Sequence, residues 1–229
     1  VNEFLTGILW ITLTVASYVF SRKLYQRFPS PLLVPVFTST FLLVLLLLIF
    51  NIEYETFMIG AGYIDKLLGP AIVALALPLY KQREMVKKYF ASIGIGVLVG
   101  TITGLWSGFT LVSLLGFEPL IARSALPKSV TTPVAMEIAR TVSGEPSLAV
   151  VFVMIAGIGG VMVGPFLMRG LKIDHFVGVG IGLGCASHAI GTSKALEFGE
   201  KAAAVSSIAM TLSAVCASIL APLMMTWLL

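Results

Sequence analysis

Two polar clusters interrupt an otherwise apolar chain. The first is Lys128, Ser129, Thr131 and Thr132, with Glu137 a few residues on; the second is Ser187, His188, Thr192, Ser193 and Lys194, followed by Glu197. Each places an ammonium group beside hydroxyls where a short helix is expected to begin, and both a helix N-terminus and a lysine favour an anion. Glu137 and Glu197 can neutralise the two lysines or accept a coupling proton. His188 lies in an apolar, glycine-rich run, where an ionisable side chain is costly. Its imidazole can carry a proton or meet a carboxylate, against the plainer role of a satisfied structural histidine. His175, next to Asp174 in a loop, reads as solvated. No nucleophile is accompanied by a base and an orienting group, no spacing suits a metal and no phosphate loop is present. An enzyme, a metal and a cofactor are therefore not expected.

The elements that must position these clusters are membrane helices. Hydrophobic residues make up 58% of the 229 and charged residues 11%, against about 25% charged in soluble chains. Mean hydropathy is +1.01. The net charge of +4 comes from loop lysines and arginines, so it speaks to topology and not to nucleic acid. Cys185 and Cys216 sit in apolar surroundings without ligand spacing and read as buried thiols. The first segment carries its basic residues after the apolar run and lacks a cleavage motif, so it is expected to remain in the mature protein.

Apolar segments cover residues 3–20, 31–50, 56–80, 90–115, 116–140, 148–168, 176–191 and 202–229. Arg22, Lys23 and Arg27, and later Lys81, Arg83, Lys87 and Lys88, are expected on the cytoplasmic side. With every segment counted as a crossing, both termini lie outside, and Arg169 and Lys172 fall outside too, against the charge rule. The third segment breaks at Gly69 and Pro70. The fifth breaks at Thr132, read as an N-cap, with Pro133 at the first helical position. The seventh carries glycine at 178, 180, 182 and 184 and is read as broken at Gly191 and Thr192, so that His188 and Lys194 face one cavity. Lys128 and Lys194 then stand in matching places. Gly96, Gly100, Gly104 and Gly108 form a small-residue stripe that lets another backbone approach.

The expected fold is all-α and polytopic, with about seven to eight spans and internal repeats of broken half-helices and full transmembrane helices. It forms one transmembrane domain over 1–229, with a helix pair at 1–50 and a repeat-containing core at 56–229. Pro70 to Pro133 and Gly100 to Gly164 give a repeat offset of 63 to 64 residues, and Gly144-Glu145 and Gly199-Glu200 occupy matching turns. Broken helices of this kind build midplane binding sites in secondary transporters.

The stretches LPKSVTTPVAM at 126–136, ASHAIGTSKALE at 186–197, SSIAM at 206–210 and LGPAIVALALPLY at 68–80 closely resemble the LrgB/CidB family of bacterial inner-membrane proteins. The resemblance runs over nearly the whole chain. It implies a multi-pass protein of the bacterial inner membrane, working with a small LrgA/CidA-type membrane partner. Some family members are described as antiholin-like or holin-like regulators of murein hydrolase activity and lysis. Others resemble transporters: a plastid relative exports glycolate and glycerate, and bacterial pairs are associated with pyruvate uptake. The half-helices, the lysines and the buried histidine favour a small-monocarboxylate transporter, coupled to protons and expected to form a homo-oligomer in contact with lipid. Lysis control is the alternative.

Overall fold

A computed structural model of the chain describes residues 2–30, 33, 35–67, 70, 76–81 and 83–228. Every regular element among them is helical, and five stretches, 176–198 among them, are long and apolar enough to cross a membrane by length and composition. The chain divides into two compact units, residues 1–71 and 72–229. The first holds α1 (Asn2–Arg27), α2 (Pro35–Ile49) and α3 (Tyr54–Asp65). Gly60 of α3 lies so close to Gly7 and Trp10 of α1 that a Cβ would have no room, and Trp10 packs edge-on against Phe57 at 5.5 Å. The expected boundary after residue 50 is therefore displaced: α3 belongs with the first pair. At 15 residues, α2 is shorter than the roughly 20 needed to span a bilayer. The helix expected to open near Pro70 lies largely outside the described residues.

The second unit continues with α4 (Ala76–Lys81), α5 (Arg83–Lys88), α6 (Phe90–Leu114), α7 (Pro119–Ala125) and α8 (Thr132–Thr141). It closes with α9 (Pro146–Gly170), α10 (Phe176–Ala195), a 3₁₀ turn (Leu196–Phe198) and α11 (Glu200–Leu228). Two of these elements match residue for residue. Both α6 and α9 have 25 residues, and 56 residues separate Phe90 from Pro146 and Leu114 from Gly170. Their C-terminal hydrogen bonds recur at the same offset: Leu115 to Leu111, Gly116 to Ser113 and Phe117 to Val112 in one, Leu171 to Leu167, Lys172 to Arg169 and Ile173 to Met168 in the other. Left-handed residues repeat likewise, Gly116 with Lys172 and Ser143 with Gly199. The elements thus recur at 56 residues, whereas the proline and glycine spacing suggested 63 to 64. Isolated prolines and glycines mark breaks and close contacts, but helix ends fix register.

What lies between these helices does not cross. Pro119 opens α7, Pro127 follows its end and Pro133 sits in the first turn of α8, so the chain enters as one short helix and leaves as another. Descending α6 from Gly108 to Gly104, the neighbours are first Ala125 and then Ser129. On the return, Gly144 packs against Ser124, and the Glu145 N–H donates to Ser124 Oγ at 2.7 Å. Residues 119–141 therefore form a helical hairpin that goes in and comes back on one side.

The helix α10 is also a hairpin. His188, at φ +43° and ψ −126°, breaks it into arms 176–187 and 189–195. Gly191 on the second arm touches the Leu183 carbonyl on the first, a contact that a straight helix cannot make. Gly180 meets Ala202 and Val205, and Gly184 meets Ser206 and Ala209, so the first arm runs parallel to α11. Both start from the same side. Tyr89 lies 5.4 Å from Phe176, and Lys201 stands 6.0 Å over the Phe176 ring, which adds the start of α6 to this face.

Because α9 is the one long helix between the two hairpins, they enter from opposite faces. Residues 116–140 and 176–191 double back instead of running straight through, and on that path Arg169 and Lys172 come to the end of the unit that already carries Arg83, Lys87 and Lys88. The conflict with the charge rule came from counting hairpins as crossings.

Candidate functional site

The first hairpin turns through residues 126–131. Thr131, at φ −65° and ψ 145°, occupies the cap position of α8, so Thr132 is already helical and Pro133 follows it. That is one residue earlier than the motif suggested, and no side chain caps the helix. Thr131 Oγ1 is buried without a hydrogen-bond partner. Lys128 reaches the other way. Its Nζ donates to the Gly104 carbonyl at 3.2 Å, Ser107 Oγ at 3.1 Å and Ser129 Oγ at 3.2 Å, all neutral oxygens. Among the described residues it has no carboxylate partner. Glu137 pairs with Arg140 on the exposed face of α8 instead. The buried face of α8, with Val134, Ala135, Ile138 and Ala139, packs on Ala149 and Val153 of α9 and on Ala214 and Ala217 of α11.

The second hairpin turns at His188, whose side chain and backbone are both constrained. The residue is 3% exposed, and its Nε2 lies 3.2 Å from the Val153 carbonyl. A carbonyl can only accept, so Nε2 carries the hydrogen. Gly157 makes this possible, since a Cβ there would lie 2.9 Å from His188 Cε1 and 2.8 Å from Ile190 Cδ1. Ser187, fully buried, is pressed against Gly160 with its Oγ unpartnered. Thr192 Oγ1 donates to the His188 carbonyl at 3.0 Å and lies 3.0 Å from Ser206 Oγ on α11. Positive φ in a non-glycine residue is strained, and the Val153 and Thr192 contacts hold it.

The break therefore lies at His188 and not at Gly191 and Thr192. Thr192, Ser193 and Lys194 belong to the outgoing arm, which stays helical through Gly191. Ser193 Oγ donates to the Ala189 carbonyl. Lys194 stands in the last turn, at the foot of the hairpin, paired with Glu197 at 2.6 Å. Lys128, by contrast, is at a tip. In the 56-residue register Lys128 corresponds to Gly184 and Lys194 to Ile138, so the two lysines do not match, and His188 and Lys194 do not share a cavity.

What the structure does bring together is the two tips. The α6 glycine stripe receives both hairpins end to end: Gly96 meets Ile181, Gly100 meets Cys185, Gly104 meets Ser129 and Gly108 meets Ala125. This removes the stripe from the candidate surfaces for another chain. The tips meet between Gly100 and Gly104, at the midpoint of a 25-residue helix. Thr101, one residue along, donates to Ser213 Oγ of α11 at 3.2 Å. Lys128, Ser129, Thr131, Ser187 and His188 thus belong to the tips, whereas Glu137, Lys194 and Glu197 do not. Among the described residues no group of three His, Cys, Asp or Glu side chains could hold a metal ion.

The motif reading gives Ser206 only as part of the stretch SSIAM and leaves out Thr101, Ser213 and Arg123. The hydroxyl residues carry no pattern of their own in an apolar helix. Arg123 had a signal, a cation inside the apolar run 119–126.

These features define a multi-pass helical membrane protein with two helical hairpins that converge between full-length helices. The chain belongs to the LrgB-like family, which it matches over residues 14–227. It is 52% identical to "Uncharacterized protein YxaC" of Bacillus subtilis (strain 168) over 97% of this chain and 96% of the relative. It is 36% identical to "Uncharacterized protein YwbG" of the same strain, over 97% and 99% of the two chains. "Holin-like protein CidB" of Staphylococcus aureus (strain N315) is 34% identical over 97% of each. No solved structure matches.

Proposed function

We propose that the protein is a carrier of small monocarboxylates, of the size of pyruvate, glycolate, glycerate or lactate, across the bacterial inner membrane. The observation that carries this reading is Lys128: an ammonium at a broken-helix tip, against Gly104 and Ser107 within α6, with only neutral oxygens for partners. An uncompensated cation is costly within a membrane. The same turn carries the unpartnered Thr131 hydroxyl ahead of the N-terminus of α8, and a swing of the Lys128 side chain away from α6 would bring the three to one carboxylate. In this reading Ser129 and Ser187 line the same site. Lys194, Ser193 and Glu197 act only as the foot of the second hairpin, and Glu137 balances Arg140.

The 56-residue register and the opposite directions of the hairpins support an inverted repeat, residues 90–145 against 146–200. Such repeats let two halves exchange roles as access alternates. The face bearing Arg83, Lys87, Lys88, Arg169 and Lys172 is then cytoplasmic. His188 seals the second tip and carries the coupling proton. Its Nε2 is committed to Val153, so a proton added at Nδ1 charges a buried ring and loosens the seal. An LrgA/CidA-type partner and self-association rest on the family resemblance alone.

The name of the staphylococcal relatives, "holin-like", favours a second reading, control of lysis through membrane permeability. Purified protein in proteoliposomes separates the two. Saturable uptake of labelled monocarboxylate, with entrapped dye retained, supports the carrier. Dye release without saturable uptake supports the lysis reading and overturns the carrier.

A further inference from the structure

Arg123 is half-buried on the incoming arm of the first hairpin, five residues before Lys128. Its Nε is buried without a hydrogen-bond partner, and no carboxylate pairs with it among the described residues. The nearby acid Glu145 is otherwise engaged, capping α9 by accepting from the Ser147 N–H at 3.3 Å. The backbone under Arg123 is fixed. A Cβ on Gly144 would lie 2.9 Å from Ser124 N and 3.1 Å from Arg123 C, and Ser124 is tied to Glu145 N. Four other cations of this unit have carboxylate partners, Arg83 and Lys87 with Glu84, Arg140 with Glu137 and Lys194 with Glu197; what sets Arg123 apart from those without one is that its Nε is buried and unpartnered. The second hairpin has nothing comparable. In the 56-residue register its position is Val179, buried and apolar, and residues 176–187 carry no charge.

An arginine on a fixed backbone with a buried, idle Nε–H suits an oxyanion. A guanidinium binds a carboxylate through two parallel hydrogen bonds, one of which Nε–H can supply. We propose that Arg123 is an outer carboxylate subsite in series with Lys128, serving the face where α6 ends and α9 begins. It holds the substrate before Lys128 does, and gives that face an affinity the opposite face lacks. This rests on the carrier reading above. A lipid phosphate has the same chemistry, and the test distinguishes the two sources.

The test uses full-length protein in oriented phosphatidylcholine proteoliposomes, with labelled pyruvate offered to each face in turn under exchange conditions. For Arg123→Gln the half-saturation concentration is expected to rise roughly tenfold from the face of residues 115–118, the loss of a charge-assisted hydrogen bond, and to stay unchanged from the other face. Arg123→Lys, which keeps the charge and loses the fork, falls between. Unchanged half-saturation at both faces, or an equal rise at both, overturns the subsite. A lipid-phosphate role gives the first of these, together with a lower melting temperature. Absence of uptake by the unmodified protein defeats the carrier reading instead. In that case, stabilisation of the detergent-purified protein by sodium pyruvate over sodium chloride still reads the subsite: it is expected to fall in Arg123→Gln, and equal stabilisation overturns the proposal.

Discussion

Gly116 and Lys172 are 56 residues apart and share a left-handed backbone, at φ +77° and +55°, each just past the end of a 25-residue helix. The hydrogen bonds that close the two helices recur in the same register, so the chain leaves α6 and α9 by the same turn. Since α9 lies between the two turns, they face opposite sides. Labelling with a membrane-impermeant thiol reagent, after Cys185 and Cys216 are replaced by alanine, reads this directly. Leu115→Cys and Ser143→Cys are expected to react from one face and Leu171→Cys from the other. If Leu115→Cys and Ser143→Cys react from opposite faces, residues 116–140 cross the membrane and the first hairpin is wrong.

Glycines in α9 divide by what they face. Gly157 and Gly160 press on His188 and Ser187, whereas Gly159 has nothing within 4 Å. Alanine at 157 or 160 is expected to lower stability by ~1–3 kcal/mol through overpacking. At 159 it should be neutral or stabilising by up to ~1 kcal/mol through helix propensity. Thermal melting of the three purified variants checks the order. Equal melting temperatures would mean that the second hairpin does not seat on α9.

The sequence marks the first hairpin by the clustering of Pro119, Pro127 and Pro133 within 15 residues; a lone proline carries no such signal, since Pro165 lies inside α9 and Pro222 inside α11. The second carries no proline. Its reversal occurs at a histidine in a conformation that histidine does not prefer, held by Val153 of another helix and by Thr192, and neither contact is visible along the chain. Glycines at 178–184 announce close packing, and Gly182 meets Met168 of α9 while Gly180 and Gly184 meet α11, but they could not locate the turn. A break at Gly191 and Thr192, three to four residues too late, puts Lys194 at a helix start and in apparent register with Lys128. The similarity was one of local composition, a lysine beside hydroxyls. The depth of each lysine depends on where the backbone turns.

His188 is now open to a sharper test than its burial alone permits. His188→Gln keeps a side-chain N–H for the Val153 carbonyl and removes the site for a second proton. Counterflow exchange is expected to persist while accumulation driven by a pH gradient is lost. Unchanged pH-driven accumulation would leave His188 as a pin for the hairpin and nothing more.

A carrier built this way holds its carboxylate at the tip of the first hairpin. Counterflow of labelled pyruvate in proteoliposomes, compared between Lys128→Gln and Lys194→Gln, tests it most directly. Glutamine keeps hydrogen-bonding capacity at both positions and removes the charge. Lys128→Gln is expected to raise the half-saturation concentration roughly tenfold or more, the loss of a buried charge-assisted contact. Lys194→Gln, which breaks one partly exposed ion pair with Glu197, should change it less than about twofold, as such pairs contribute little. The reverse order, with Lys194 essential and Lys128 dispensable, would contradict the account.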